Sequence, residues 1–254
     1  MLELKDVSKK YQEHEGEVLT SVSFEIEDGE FFGIVGPSGC GKTTLLNLIA
    51  GFEEPSQGTI IMDGKPISGP GNDRIMMFQN SALFPWLNVI ENVKFGLSII
   101  GCSKEEQEER ARQYLKLVKL NKFANYRVHE ISGGMKQRAA LARALAMDCR
   151  VLLMDEPFSA LDKQTTNILR EELEEICSAT KRTMILVTHS VEEAVFLSDR
   201  VAVIGAGKRG LKKIYSIDIP RPRRIESEEF LKIRRKILDE VRIEVEQSEK
   251  EEFD

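Results

Sequence analysis

Phe31-Phe32-Gly33-Ile34-Val35-Gly36-Pro37-Ser38-Gly39-Cys40-Gly41-Lys42-Thr43 carries an apolar run directly into a glycine-rich loop. The run predicts a strand buried on both faces, as in a parallel sheet. The spacing G-x-x-x-x-G-K-T over Gly36, Pro37, Ser38, Gly39, Cys40, Gly41, Lys42 and Thr43 is that of a phosphate-binding loop. Glycines let successive backbone N–H groups turn inward around phosphates. The helix predicted from Thr43 to Ala50, closed by Gly51, offers its positive end to the anion. Lys42 is placed to reach the β- and γ-phosphates, and the Thr43 hydroxyl to hold Mg²⁺. The loop alone specifies a nucleoside triphosphate; kinases, GTPases and transport ATPases all fit it.

Outward from the loop, Leu2 to Val7 and Val18 to Ile26 read as antiparallel strands, with Asp28-Gly29 as a turn. Gly58 to Met62 and Arg74 to Phe78 read as further strands, separated by turns at Asp63-Gly64 and Pro70-Gly71-Asn72. From about Asn88 to Met147 the pattern is helical, with Val89 to Ile100, Lys104 to Leu120 and Gly133 to Met147 as helices. Strands resume at Val151 to Asp155, Thr183 to Thr188 and Val201 to Ile204. The expected fold is α/β: a mainly parallel sheet with crossover helices, an N-terminal antiparallel β-subdomain and an inserted helical subdomain at about 80–150. The tail 227–254 is a charged helix with Leu231, Leu238 and Val245 at heptad spacing. It fits a surface helix packing on its own domain, or a helix for a partner.

A second apolar strand, Val151-Leu152-Leu153-Met154, ends in Asp155-Glu156. Strand ends are where a parallel sheet presents ligands. Asp155 can serve Mg²⁺, and Glu156 can orient or deprotonate an attacking water. Ser132 is a good N-cap for the helix opening at Gly133-Gly134, and the glycines leave backbone N–H groups bare. By itself this is equally a capped helix. Gln79, at a strand end, fits either a Mg²⁺ contact that senses the γ-phosphate or a turn cap. His189 ends the strand after the acidic one.

The chain has 254 residues and a net charge of −6, with 41% hydrophobic and 31% charged residues. That composition supports an ordinary core and weighs against nucleic acid as the main partner. No stretch approaches the roughly 20 apolar residues that span a bilayer. The start alternates like a strand and lacks a signal peptide's apolar run, so a cytosolic location is expected. Cys40, Cys102, Cys149 and Cys177 include no CxxC pair, so reduced thiols are expected and a cysteine metal site is not.

Taken in order, Tyr11, the loop 36–43, Gln79, Ser132-Gly133-Gly134, the strand 151–156, Ser159-Ala160-Leu161-Asp162 and His189 resemble the nucleotide-binding subunit of ATP-binding cassette (ABC) transporters. The resemblance runs from Leu2 to about Arg224. It implies a P-loop NTPase core of the RecA-like kind, with residues 1–226 as the ATPase domain, and ATP and Mg²⁺ as cofactors. It implies that Tyr11 stacks on adenine, that Lys42, Thr43 and Thr44 bind the phosphates, and that Thr43, Gln79 and Asp155 serve the metal. Ser132, Gly133 and Gly134 would bind the γ-phosphate held by a second copy in a head-to-tail dimer, with Asp162 at the seam. Glu156 and His189 would hold the water, and Gln79 and Lys42 would complete the catalytic set. Met135 stands where the family usually has Gln; the phosphate contacts are retained, and the change falls on a polar contact to the opposing ribose.

Gly69-Pro70-Gly71-Asn72-Asp73-Arg74, Gln79 to Leu87, Glu91-Asn92-Val93, Phe95-Gly96-Leu97 and Ile219-Pro220-Arg221-Pro222-Arg223 resemble the importer branch for nitrate, aliphatic sulfonates, taurine and similar small solutes. That implies transmembrane permease subunits as partners, a solute-binding protein as an indirect one, and a peripheral position on the inner face of the membrane. Trp86 reads as core filler or as an anchor for a permease helix. The alternative is a soluble cassette ATPase acting on DNA or ribosomes. Neither a long coiled-coil insertion nor a second cassette supports it. A P-loop kinase would leave Ser132-Gly133-Gly134 and His189 unexplained.

Overall fold

The computed structural model describes residues 1–11, 16–159, 161–180, 182–205 and 210–253. They form two compact units, Met1–Gly71 with Lys181–Asp254, and Asn72–Thr180. The second is thus inserted in the chain between the two segments of the first.

The first unit opens with β1 (Leu2–Lys10), β2 (Glu17–Ile26), β3 (Phe31–Val35), α1 (Lys42–Ala50), β4 (Gln57–Met62) and β5 (Lys65–Pro66). The antiparallel sheet runs β2-β1-β4-β5. Along β2, Leu19, Val22, Phe24 and Ile26 are buried while the residues between them face out, the alternation of a sheet with one wet face.

The second unit holds β6 (Arg74–Met77), α2 (Val89–Ile99), α3 (Lys104–Leu117), α4 (Gly133–Ala146), β7 (Val151–Asp155) and α5 (Lys163–Thr180). It contains the helices expected at about 80–150 together with β6, β7 and α5. Its two strands are parallel, paired from Arg74 with Val151 to Met77 with Met154, so their C-terminal ends lie side by side. The helices start where local chemistry says they should: Asn88 with Glu91 and Ser103 with Glu106 each form a reciprocal capping box. Helix α3 stops at Leu117, three residues before the expected Leu120; Lys119 turns to φ 57°, and a short 3₁₀ segment follows at Asn121–Phe123.

The chain then returns to the first unit as β8 (Thr183–Val187), α6 (Val191–Leu197), β9 (Arg200–Ile204), β10 (Leu211–Ser216) and α7 (Glu228–Phe253). There β3 lies between β8 and β9, parallel to both, and β10 is antiparallel to β9. All five residues of β3 and of β8 are buried. Strand β10 was not anticipated, since Leu211-Lys212-Lys213-Ile214-Tyr215 alternates too weakly on this edge. Arg223 fixes the exit of α6: its guanidinium donates to the carbonyls of Val195, Phe196 and Ser198 at 2.7–3.0 Å. A cation there meets the negative end of the helix.

Helix α7 docks through a different stripe from the one its heptads suggested. Phe230 and Ile237 are fully buried, and Glu244, one heptad on, pairs with Lys212 at 3.0 Å. Tyr215 donates to Glu240 at 2.9 Å. Leu231 and Val245 of the expected stripe are exposed. Ile237→Ala should therefore cost about 2–5 kcal/mol in chemical denaturation, and Leu231→Ala less than about 1 kcal/mol.

Candidate active site

In the first unit the loop after β3 folds back on the side chain that follows it. Lys42 is buried; its ammonium donates to the carbonyls of Gly36 at 2.9 Å and Pro37 at 2.6 Å. Two glycines permit the turn. A Cβ on Gly36 would fall on the Ile204 carbonyl of β9. Gly41 has φ 93° and would place a Cβ 2.8 Å from the Val18 carbonyl. Gly41 is also the N-cap of α1, whose first turn carries no acidic residue. A helix start of this kind, beside a buried ammonium, is suited to an anion.

Ser38, Gly39 and Thr43 are exposed, and Pro37 and Thr44 half-buried. Cys40 is buried 3.8 Å from the Lys42 ammonium; burial pushes its thiol up against the pull of that charge, so it stays a thiol at neutral pH.

Tyr11 follows β1 in the same unit, half-buried, with its hydroxyl donating to Glu53 at 2.5 Å. His189 is exposed at the joint between β8 and α6. That joint is stiff: Thr188 is buried, donates to Glu193 at 2.6 Å and accepts from the Ser190 amide at 3.0 Å.

In the second unit β7 delivers Asp155, buried, and Glu156, half-buried. Glu156 has φ 44°. A long side chain seldom adopts the left-handed region, and such backbone strain concentrates at functional sites. The turn that follows ties in Gln79: its side-chain amide donates to the Ser159 hydroxyl at 3.1 Å, which donates to the Glu156 carbonyl at 3.0 Å. The Gln79 carbonyl accepts from Gln137 of α4 at 2.9 Å. Parallel pairing of β6 with β7 makes these contacts possible. Ser159 carries no local signal for this link, because its partner lies 80 residues away.

The same unit brings Ser132-Gly133-Gly134 to the start of α5. The Ser132 hydroxyl accepts from the Met135 amide at 3.3 Å, the expected cap. Gly133 faces Leu161, and Gly134 packs so closely on Thr165 that a Cβ would meet its methyl group at 2.5 Å. Asp162 accepts from the Thr165 amide at 3.0 Å and hydroxyl at 2.7 Å, and these bonds, the amide's first, hold its carboxyl below the usual range. Ala160, within that motif, lies outside the described residues.

The same unit holds an apolar groove of about 380 Å³, lined among others by Met76, Phe78, Phe84, Phe95, Ile99 and Met147. Arg143 shapes its floor by donating to the carbonyls of Ser81 at 3.2 Å and Ala82 at 2.8 Å. Trp86 is 67% exposed, 5.3 Å from the Phe84 ring; it is not core filler.

Residues 19–159 match the family model described as ABC transporter. The chain is 44% identical to a nitrate import ATP-binding protein of Synechocystis sp. over 92% of its own length and 89% of that protein's. It is 47% identical to a taurine import ATP-binding protein of Burkholderia pseudomallei, over 80% of this chain and 78% of that one. Among solved structures it is similar to a dimeric ATP-binding cassette in a post-hydrolysis state bound to ADP and Pi. The TM-score is 0.76 at 31% identity, over 87% of this chain and all of the other. Gly41→Ala should lower stability by about 1–3 kcal/mol, measured by thermal or chemical unfolding, because alanine is strained at φ 93° and meets the Val18 carbonyl.

Proposed function

The chain belongs to the ABC transporter family, as one of its ATP-binding, ATP-hydrolysing subunits, and on that premise we propose that it powers uptake of a small anion or organic solute such as nitrate, a sulfonate or taurine. The observation that carries the ATP reading is the glycine loop closed on a buried Lys42 at a helix start without acidic residues. In this reading Lys42, Thr43, Thr44 and the loop amides hold the phosphates, and Tyr11 stacks on adenine. When bound, Mg²⁺ neutralises charge developing on the phosphates. The Thr43 hydroxyl, the Asp155 carboxylate and the Gln79 amide oxygen are of the hard, oxygen-donor kind it takes.

Glu156 orients the attacking water and takes its proton, and His189 steadies the γ-phosphate. The Gln79–Ser159–Glu156 string supports a shared task for Gln79 and Glu156. A second copy closes over the nucleotide head to tail through its own Ser132, Gly133 and Gly134, with Asp162 near the seam. The packing of these glycines on Leu161 and Thr165 supports their moving as one piece with Asp162. Met135 changes a ribose contact and leaves the Ser132 cap in place.

Permease subunits are the second partner, bound on the inner face of the membrane. The apolar groove with exposed Trp86 at its edge suits an amphipathic helix from such a subunit. The solute itself is selected elsewhere, by a solute-binding protein and the permease. Among the described residues no helix is long and apolar enough to cross a membrane.

Glu156→Gln should keep ATP affinity, lower turnover at least about 100-fold and accumulate an ATP-bound dimer on gel filtration. Normal turnover in that variant would remove Glu156 from the mechanism. For the wild type, ATPase rate per subunit should fall on dilution into the monomer range; a constant specific rate there would contradict a shared site. Trp86→Ala should weaken co-purification with the permease at least about tenfold; unchanged recovery would exclude the groove as the docking site.

A further inference from the structure

Tyr11 is held by Glu53 and Lys9, which lie outside every motif, and by the Thr44 side chain at the phosphate-loop helix. Its hydroxyl donates to one Glu53 carboxylate oxygen at 2.5 Å, and Asn47 of α1 donates to the other at 3.2 Å. Lys9 forms an ion pair with the same carboxylate at 3.1 Å and donates to the Glu54 carbonyl at 2.9 Å. The Lys9 ammonium also stands 5.0 Å from the centre of the Tyr11 ring. Burial pushes the Glu53 carboxyl up, but the bonds from Tyr11, Lys9 and Asn47 outweigh it and hold it below its usual range. Burial and then the Glu53 bond raise the Tyr11 phenol, which stays a donor. Hydrogen bonds to a charged carboxylate are the stronger kind.

We propose that Glu53 is a positioning residue for the nucleotide base, fixing the Tyr11 ring at a set distance from the phosphate-loop helix through Asn47. The inference rests on the reading that Tyr11 stacks on adenine. A tyrosine at a strand end must give up rotamer freedom when a base stacks on it, and a ring already fixed gives up less. Lys9 covers one face of the ring, so the base takes the other. The network spans β1, α1 and the loop after α1, so the two ends of the nucleotide are gripped by parts that cannot drift independently. Base and triphosphate would then bind to one preset spacing.

The test compares binding of ATP and of inorganic tripolyphosphate, which has no base, by calorimetry with Mg²⁺ on the full chain. Y11A, Y11F, E53Q and Y11F/E53Q are measured beside the wild type. E53Q and Y11F should each weaken ATP roughly three- to tenfold. The double variant should be no worse than the weaker single, since both remove one interaction. In E53Q, which keeps the Tyr11–Thr44 bond, tripolyphosphate affinity should not change. Loss of ATP affinity in Y11A but not in E53Q overturns the role of Glu53 and leaves base stacking standing. An equal loss for both ligands in E53Q also overturns it, because Glu53 would then act on the phosphate loop. Full ATP affinity in Y11A removes the stacking reading and this inference with it. If E53Q lowers the thermal midpoint, Y11F supplies the same readout by deleting a single hydroxyl.

Discussion

The Lys42 ammonium is buried with its protons directed at the carbonyls of Gly36 and Pro37, and a charge so placed constrains everything around it. Taken out of water, it needs acceptors at short range. Only a loop that doubles back within a few residues supplies them, which requires positive φ at Gly39 and Gly41. Gly36 in turn has no room for a side chain against the end of β9. The loop is thus as firm as β9, which is held by β3 on one side and β10 on the other. Helix α7 packs on the same unit through Phe230 and Ile237. The charged tail therefore belongs to the structure that backs the phosphate loop.

The second unit is organised around the turn after β7. Glu156 sits in a left-handed conformation that its own side chain disfavours, so neighbouring bonds must hold it. Ser159 closes on its carbonyl, Gln79 closes on Ser159, and Gln137 of α4 holds the Gln79 carbonyl. Ser132 caps helix α4, so the segment that opens this helix and the segment that carries Gln79 are fastened to one element. Arg143, farther along α4, holds Ser81 and Ala82 at the floor of the apolar groove. The segments that carry Gln79, Ser132 and the groove-lining Ala82 are therefore parts of one hydrogen-bonded assembly.

Most of the strands, the glycine loop, the Ser132 cap and the acidic strand end were legible because each is written in consecutive residues. Periodicity failed at α7. Leu231, Leu238 and Val245 form a valid heptad, yet so do Phe230, Ile237 and Glu244, and the latter stripe is the buried one. Spacing alone does not choose between adjacent stripes. The aromatic bulk of Phe230 and the reach of Lys212 to Glu244 do. Trp86 was ambiguous for a similar reason, since exposure belongs to the packed structure.

By itself the sequence determined that a buried strand ends in a phosphate loop, that a second strand ends in Asp155-Glu156, and that Ser132 starts a glycine-opened helix. Those features are local: backbone φ, capping and alternation act over a few residues. Only the tertiary structure decided that Gln79 reaches Ser159, that Gly134 rests on Thr165, and that Tyr11 is held by Glu53 and Lys9. Each of those joins side chains far apart in the chain, and such pairs are set by how strands and helices pack.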